Sequence, residues 1–574
     1  MAARTIRVGV CAGLIGVLGL AAEASAGETP KRAALDYGAY VKKSETFPKV
    51  RDFCDQVIEH GRDKYGPKKL AIFVNAFDLT TKTPPPGPHG VGSLNGHRPG
   101  LCNLQLQASL LRLLWHMSDI TGEPRYRKAV EACLHDYFQH VAHPETGDFP
   151  WGTHAGYDLT TDKISMGAAV EEKITDFPWE ILYAVNPQGL LRLADRFRIC
   201  FDKDMTTWFH HRPIGPTTEY LDPSPEFSTR GRQGNHPYLI SAVVHAEAWA
   251  LAWSKTKDPK YLEWLKRLLK TMEDCLLTPD ALFGEIVNVH HHPPPGTPST
   301  WTGPMNQWER RSQGVGFGSP YLWGHAMQRV ARCLGEQEGR QFLDSGLRQM
   351  ARWAKAACNE KDRYYAPNIS VYPDMKRPGR GGRGGFWDSG GGGGGWGGGR
   401  LVTALLAYAD AYKHTGRDDC RKVADQLDEW YVDQATFMDA AQPEHALLLG
   451  IYLHGLAQLY EKSGDARYLP RGRLARDKAL RQFFRDGCFL GRPGTTLVSH
   501  DWGSDDLALA VLKWDMAEGG LNCPIPDAYL FDWGYGYPMR WEGFQAGPAP
   551  SPERCAESWR GLPPVQDPDQ KAGK

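Results

Sequence analysis

The sequence predicts an all-α fold, an α/α toroid of six or seven helical hairpins with long loops gathered at one mouth. Two observations carry this expectation: a recurring helix, turn, helix signature, and long irregular insertions that fall between the hairpins rather than within them. The signature stands in DITGEPRYRKAVEACLHDYF from Asp119, SKTKDPKYLEWLKRLLKTME from Ser254, KHTGRDDCRKVADQLDEWY from Lys413 and EKSGDARYLPRGRLARDKAL from Glu461. In each, a small or basic residue with glycine or lysine ends one helix, and an acidic residue opens the next turn. An apolar pattern of helical period follows.

Each signature follows a helix rich in small and apolar residues: Leu104 to Ser118, His245 to Trp253, Leu401 to Tyr412 and His445 to Tyr460. A fifth hairpin fits Gly324 to Lys355, and further helices fit Lys49 to Arg62 and Glu180 to Phe201. The signatures are unevenly spaced, which excludes a solenoid of strict repeat length. The insertions run over Phe149 to Lys173, Pro213 to Pro237, Leu282 to Pro320 and Tyr364 to Gly399. A ring of hairpins places such insertions around one end of a central cavity, although periodicity alone also permits an extended α-solenoid.

The amino terminus reads as a secretory signal peptide over residues 1–26. Arg4 and Arg7 precede an apolar run from Val8 to Ala22, and Ala24-Ser25-Ala26 supplies the small residues of a cleavage site. The expected mature protein is therefore secreted or periplasmic and without a membrane span. Residues 27–544 are expected to form the toroid, and the proline- and charge-rich residues 545–574 a disordered tail. Twelve cysteines, eleven once Cys11 leaves with the leader, have neither CxxC pairs nor zinc spacing. That excludes a structural zinc site and a dense disulfide scaffold.

Over 574 residues, Lys plus Arg and Asp plus Glu stand equal at 67 each, so no global field points to nucleic acid or an anionic membrane. A polyanionic ligand would need a local basic patch. Nineteen tryptophans and 23 tyrosines offer flat rings that stack on sugars, and the same rings also fill large helical cores. The glycine-rich run Arg377 to Arg400 reads as a flexible surface loop; its Arg380, Arg383, Phe386, Trp387, Asp388 and Trp396 would suit a flap over an acidic sugar.

The densest chemistry lies in FPWGTHAGYD, Phe149 to Asp158. Trp151, His154, Tyr157 and Asp158 stand there among glycines that free the backbone. A helix-to-helix turn with core-capping aromatics would look the same. Downstream come Glu171 with Glu172, and then Trp208-Phe209-His210-His211-Arg212-Pro213. His154, Glu171 and His211 form a candidate metal set, because imidazole with carboxylate suits manganese, cobalt, nickel or zinc better than calcium, which prefers oxygen donors alone.

Two stretches carry a family resemblance: FPWGTHAGYDL, followed by EEK and WEILYAVNP, and KYGPKKLAIFVNAFDLTTKTPP from Lys64 to Pro85. Both resemble the family-two polysaccharide lyases, pectate lyases with an α/α barrel. The resemblance implies β-elimination on a uronate-containing polysaccharide. It also implies a divalent transition metal, manganese, cobalt or nickel, held by His154, Glu171 and His211, and an arginine beside the second histidine as base. The family order is arginine then histidine, whereas this chain has His210, His211 and Arg212, and Val170 stands where the family has histidine. Either His211 is the ligand with Arg212 displaced, or Arg212 aligns with the base and Pro213 stands in place of the ligand.

Arg212, His210 and Tyr157 are thus the base candidates, His210 being the simpler proton acceptor because a guanidinium is ordinarily protonated. Trp151 and Trp208 would stack on sugar rings, and Arg310 or Arg311 would clamp a substrate carboxylate, unless they pair with Glu309 instead. His245 and Trp249, at helical i,i+4 spacing, read as core. Two rival functions share these features. A six-hairpin glycoside hydrolase would use Asp158 with Glu285, Glu309 or Asp388 as its paired carboxylates. A glycan-binding scaffold would use the cavity without turnover.

Overall fold

The computed structural model describes residues 37–85, 99–142, 144, 147, 150, 155–166, 177–199, 239–274, 282–283, 319–361, 363–365, 401–433 and 446–527. The expected leader and tail lie outside these residues. Helices α1 (Tyr37–Lys43), α2 (Phe47–His60), α3 (Ala108–Thr121), α4 (Arg125–His140), α5 (Trp179–Val185), α6 (Pro187–Ile199) and α7 (Leu239–Thr256) open the chain. Then follow α8 (Pro259–Asp274), α9 (Ser319–Leu334), α10 (Glu336–Ala357), α11 (Leu401–Thr415), α12 (Asp418–Asp433), α13 (Ala446–Ser463), α14 (Leu469–Lys478) and α15 (Ser504–Glu518).

Among the described residues, seven helices form an inner ring, α3, α5, α7, α9, α11, α13 and α15, each packed on the next and the last packed on the first. Outside them lie α4, α6, α8, α10, α12 and α14, with α2 as the outer partner of α15. This is the α/α toroid, at the upper of the two expected hairpin numbers. Composition sorts the layers. ALLLGIYLHGLAQLYEKS of α13 is apolar almost all round and buried along nearly its whole length, as an inner helix must be. PKYLEWLKRLLKTMED of α8 confines its apolar residues to one stripe, which leaves a solvated face.

The hairpin turns after inner helices are short, and several are marked by a glycine. Gly122 caps α3 in the left-handed region, and the single residue Gly335 links α9 to α10. The connections that lead into inner helices are long, so they reach the ring at the N-terminal ends of those helices. At Glu180 to Phe201 the sequence predicts one helix where the structure has two. Pro187 lacks the donor that would continue α5 and forces Asn186 out of helical geometry (φ −141°, ψ 81°), and the Asn186 side chain then accepts from the Gly189 amide. The two pieces become the inner and outer members of one hairpin.

Segments from the two sides of the closing seam pair with each other. Strand β1 (Ala76–Asp78) pairs antiparallel with a strand near the C-terminus, Leu497–Ser499, with Phe77 opposite Val498. Gly503, which precedes α15, holds φ at +77°, and a Cβ there would lie 2.4 Å from the Leu447 Cα. Only glycine permits that approach of α15 to α13. Trp249, Trp323, Trp353, Trp502 and Trp514 are fully buried, so much of the tryptophan load fills the ring and does not argue for sugar stacking. The eight cysteines among the described residues are free thiols, in keeping with a fold that is not a disulfide scaffold.

Candidate functional site

FPWGTHAGYD is not only a loop. β2 (Leu101–Cys102), β3 (Ala155–Asp158) and β4 (Lys163–Met166) form a three-stranded antiparallel sheet, and the β3–β4 hairpin opens at Ala155 opposite Met166. His154 directly precedes the first of these residues, and Glu171 follows the second by five positions. The preceding flank is also fixed. Tyr137 donates its hydroxyl to the Pro150 carbonyl at 3.0 Å, and Gly147 (φ +74°) packs so close to α6 that a Cβ would lie 2.6 Å from the Gly189 oxygen.

Trp151, His154, Glu171, Trp208, His210, His211, Arg212, Arg310 and Arg311 lie outside the described residues. So do Glu285, Glu309, Asp388 and the glycine-rich run. Tyr157 is described, opposite Cys102 in the sheet and with its ring buried. Lys68 donates to its hydroxyl at 3.3 Å, and burial together with the neighbouring Asp162 and Asp63 carboxylates pushes its phenol up to about 12. A phenol so disposed stays protonated at neutral pH and makes a poor base. Asp158 accepts from the Thr160 amide at 2.9 Å and its hydroxyl at 2.6 Å, the bonds that shape the hairpin turn. His245 and Trp249 are buried as expected, His245 stacked on Phe197 with ring centroids 4.3 Å apart.

The structure also gathers charged residues that the sequence reading did not single out. They stand on the inner helices and pair across the seams between neighbours. Arg112 of α3 donates to Glu180 of α5 at 2.9 Å, and Arg329 of α9 donates to Glu247 of α7 at 3.0 Å through Nε. Asp410 of α11 lies 3.2 Å from His325 Nδ1 and 3.8 Å from Arg332, both on α9. Lys413 of α11 meets Glu461 of α13 at 2.6 Å. Burial opposes the charge on Glu180, but Arg112, with Arg329 further off, outweighs it and holds the carboxyl below its ordinary range. Pairs of this kind set the register at four of the seams, α3–α5, α7–α9, α9–α11 and α11–α13. The signal was present in LVTALLAYADAYKHT, where Asp410 and His414 interrupt an apolar helix at i,i+4.

At the C-terminal ends of the inner helices Asp527 enters this network. Asp410, His414 and Asp527 offer ligand atoms close enough to hold a metal ion. Lys413, Lys513 and Arg332 surround the same carboxylates, so the group is already charge-balanced and an added dication would meet net repulsion. His454 is fully buried beside it. Burial and Lys513 push its imidazole down to about 4, against the pull of Asp527. Burial likewise drives His325 well down, whereas hydrogen bonds to Asp410 and Asp527 overcome burial and raise His414.

The pH dependence of stability follows from the signs. Between about 6.5 and about 4 the unfolded chain takes up a proton that folded His454 refuses, so stability falls as pH drops through that window, by ~2–3 kcal/mol. His325 adds to the fall. The contribution of His414 is complete below its unfolded value of 6.5 and is lost as pH rises through its raised folded value. Thermal unfolding from pH 7.5 to 4 should show the midpoint dropping on the acid side, and His454→Leu should flatten that limb. An unchanged slope in the variant would assign the acid sensitivity elsewhere.

The comparisons with known proteins bear on the first part of the ring. A family model for periplasmic pectate lyase matches residues 72–197. The matched span runs from Ile72 to Phe197, contains the β2–β3–β4 sheet with His154 and Glu171, and stops before Trp208. Among solved structures, the chain is similar to the cellobiose 2-epimerase of Bacillus thermoamylovorans B4167, at 9% identity over 84% of this chain and 100% of that chain, with a TM-score of 0.44. It is also similar to a family 76 glycoside hydrolase from a bovine Bacteroides thetaiotaomicron strain, at 12% identity over 82% and 78% of the two chains, with a TM-score of 0.41. The unsaturated glucuronyl hydrolase of Bacillus sp. GL1 shares 11% identity over 81% and 95%, with a TM-score of 0.40. Likenesses at this level assign no activity. Among the described residues no helix is long and apolar enough to cross a membrane.

Proposed function

We propose that the protein is a secreted or periplasmic polysaccharide lyase that cleaves a uronate-containing, pectate-like polysaccharide by metal-assisted β-elimination. The observation that carries this reading is the family match over residues 72–197, which includes both His154 and Glu171. The anchored flanks of PWGTH and the hairpin end at Ala155 and Met166 support it, since they tie the neighbourhood of both residues to one small sheet.

In this reading His154, Glu171 and His211 hold a divalent transition metal, manganese, cobalt or nickel, a donor set of two imidazoles and one carboxylate that fits those ions. When bound, the ion neutralises the uronate carboxylate and so makes the C5 proton more acidic. Arg212 or His210 takes that proton, the C5–H electrons form the C4–C5 double bond, and the C4–O bond breaks as the leaving sugar's oxygen gains a proton. Tyr157, buried and held as a neutral phenol, ranks last of the three bases. Trp151 and Trp208 stack on the sugar rings, and Arg310 or Arg311 clamps a neighbouring carboxylate.

The product decides between elimination and hydrolysis. Polygalacturonate and other uronans incubated with the protein should yield unsaturated ends with a new short-wavelength ultraviolet absorbance, and new reducing ends without that absorbance would establish a hydrolase. Arg212→Ala and His210→Ala, assayed side by side, separate the bases. Loss of the true base should lower kcat by roughly 10²- to 10⁴-fold with substrate binding largely intact.

A further inference from the structure

Asp527 follows α15 by nine residues and turns its carboxylate back into the ring at the end opposite the long connections. There it meets lysines from α11 and α15 and imidazoles from α11 and α13. Lys513 of α15 lies 2.9 Å from Oδ1 and Lys413 of α11 lies 2.7 Å from Oδ2. His414 of α11 stands 3.4 Å from Oδ2, and His454 of α13 stands 3.9 Å from Oδ1.

Two features make this more than a surface ion pair. Lys513 is only 3% exposed, and Asp527 is the carboxylate set against it; without Asp527 a buried ammonium would lose its counter-ion. His454 is wholly buried, and among the described residues neither of its ring nitrogens makes a hydrogen bond, although Nε2 lies 3.9 Å from the carboxylate. Lys413 and His414, by contrast, have second partners in Glu461 and Asp410. The two carboxylate oxygens are shared between different lysines on opposite sides. A planar two-oxygen anion satisfies that arrangement and a monatomic halide does not.

We infer that the cluster of Lys413, His414, His454 and Lys513 is a carboxylate-binding site, which the chain fills with its own Asp527 as a latch. The ligand class is a small monocarboxylate, and the latch ties α11, α13 and α15 together. This inference stands apart from the lyase reading and survives its failure.

Truncating the latch tests it by chemical rescue in the full-length protein. Asp527→Ala leaves room for formate and Asp527→Gly for acetate, and each variant should melt several degrees below the parent. Formate or acetate should recover at least half of that loss in a saturable way, while sodium chloride at equal ionic strength and neutral formamide should not. Rescue by chloride to the same extent would overturn the inference, as would truncated variants that melt with the parent.

If the truncated variants do not fold, Asp527→Asn keeps the side-chain shape and Lys513→Met removes the stranded charge. The double variant should then lose clearly less stability than the two single losses added together. Strict additivity would show that Asp527 and Lys513 are not a bound pair.

Discussion

Under the proposed elimination mechanism, His154→Ala and Glu171→Ala are each expected to lower turnover of uronans by roughly 10²- to 10³-fold, together with the content of the proposed metal. The size of the effect follows from the reaction. Removing the C5 proton places negative charge next to a carboxylate that is already negative, and that carboxylate must be neutralised before any base can act. A three-donor site that loses one donor holds its ion weakly, so activity and metal content should fall together. Elemental analysis of the purified variants gives the second reading. The fold should survive either change, because the preceding flank is held by the bond from Tyr137 to Pro150 and the following one by the β3–β4 pairing. Full activity with full metal content in both variants would remove these residues from the site.

Legibility in the sequence depended on range. The hairpins could be read because their signals are local: a helical period, a glycine in the left-handed region such as Gly122, and an acidic residue opening the next turn. The break at Asn186 was also local, written in the proline that follows, and the reading passed over it because the apolar period continued across. The short strands β2, β3 and β4 carry too few residues for an alternating pattern, and their pairing of Leu101 with Asp158 spans more than fifty positions. The charged seams were half legible. Asp410 and His414 announce themselves on an apolar helix, but nothing in the sequence joins them to Asp527, more than a hundred residues away. Of the expected site residues Tyr157 and Asp158 lie among those described, and their neighbours make both part of the framework of the small sheet.

The same distinction between local and distant signals governs the seam that closes the ring. Ser504-Asp505-Asp506 opens α15, where acidic residues are ordinarily explained by the helix dipole. Here their carboxylates also serve another helix. Asp505 Oδ2 accepts the Leu110 amide of α3 at 2.8 Å, and Asp506 Oδ1 accepts the Ser109 hydroxyl at 2.5 Å. Helix α3 begins after Gln107, whose side chain makes no capping bond, so its Leu110 amide is satisfied by the last inner helix of the ring. Asp505 is wholly buried and also lies 3.2 Å from His500 Nδ1.

Asp505→Ala would therefore strand a buried amide and deprive a buried imidazole of its carboxylate at the one seam where the two ends of the chain meet, with an expected loss of ~3–5 kcal/mol. Asp505→Asn keeps an oxygen for the Leu110 amide and should lose appreciably less. Glu263→Ala, which breaks only an exposed i,i+4 pair with Arg267, should change stability by less than ~0.5 kcal/mol. Denaturant unfolding of the three variants gives the ordering. If Asp505→Ala unfolds alongside Glu263→Ala, then the apolar packing of α15 on α3 closes the ring by itself, and the carboxylates only set its register.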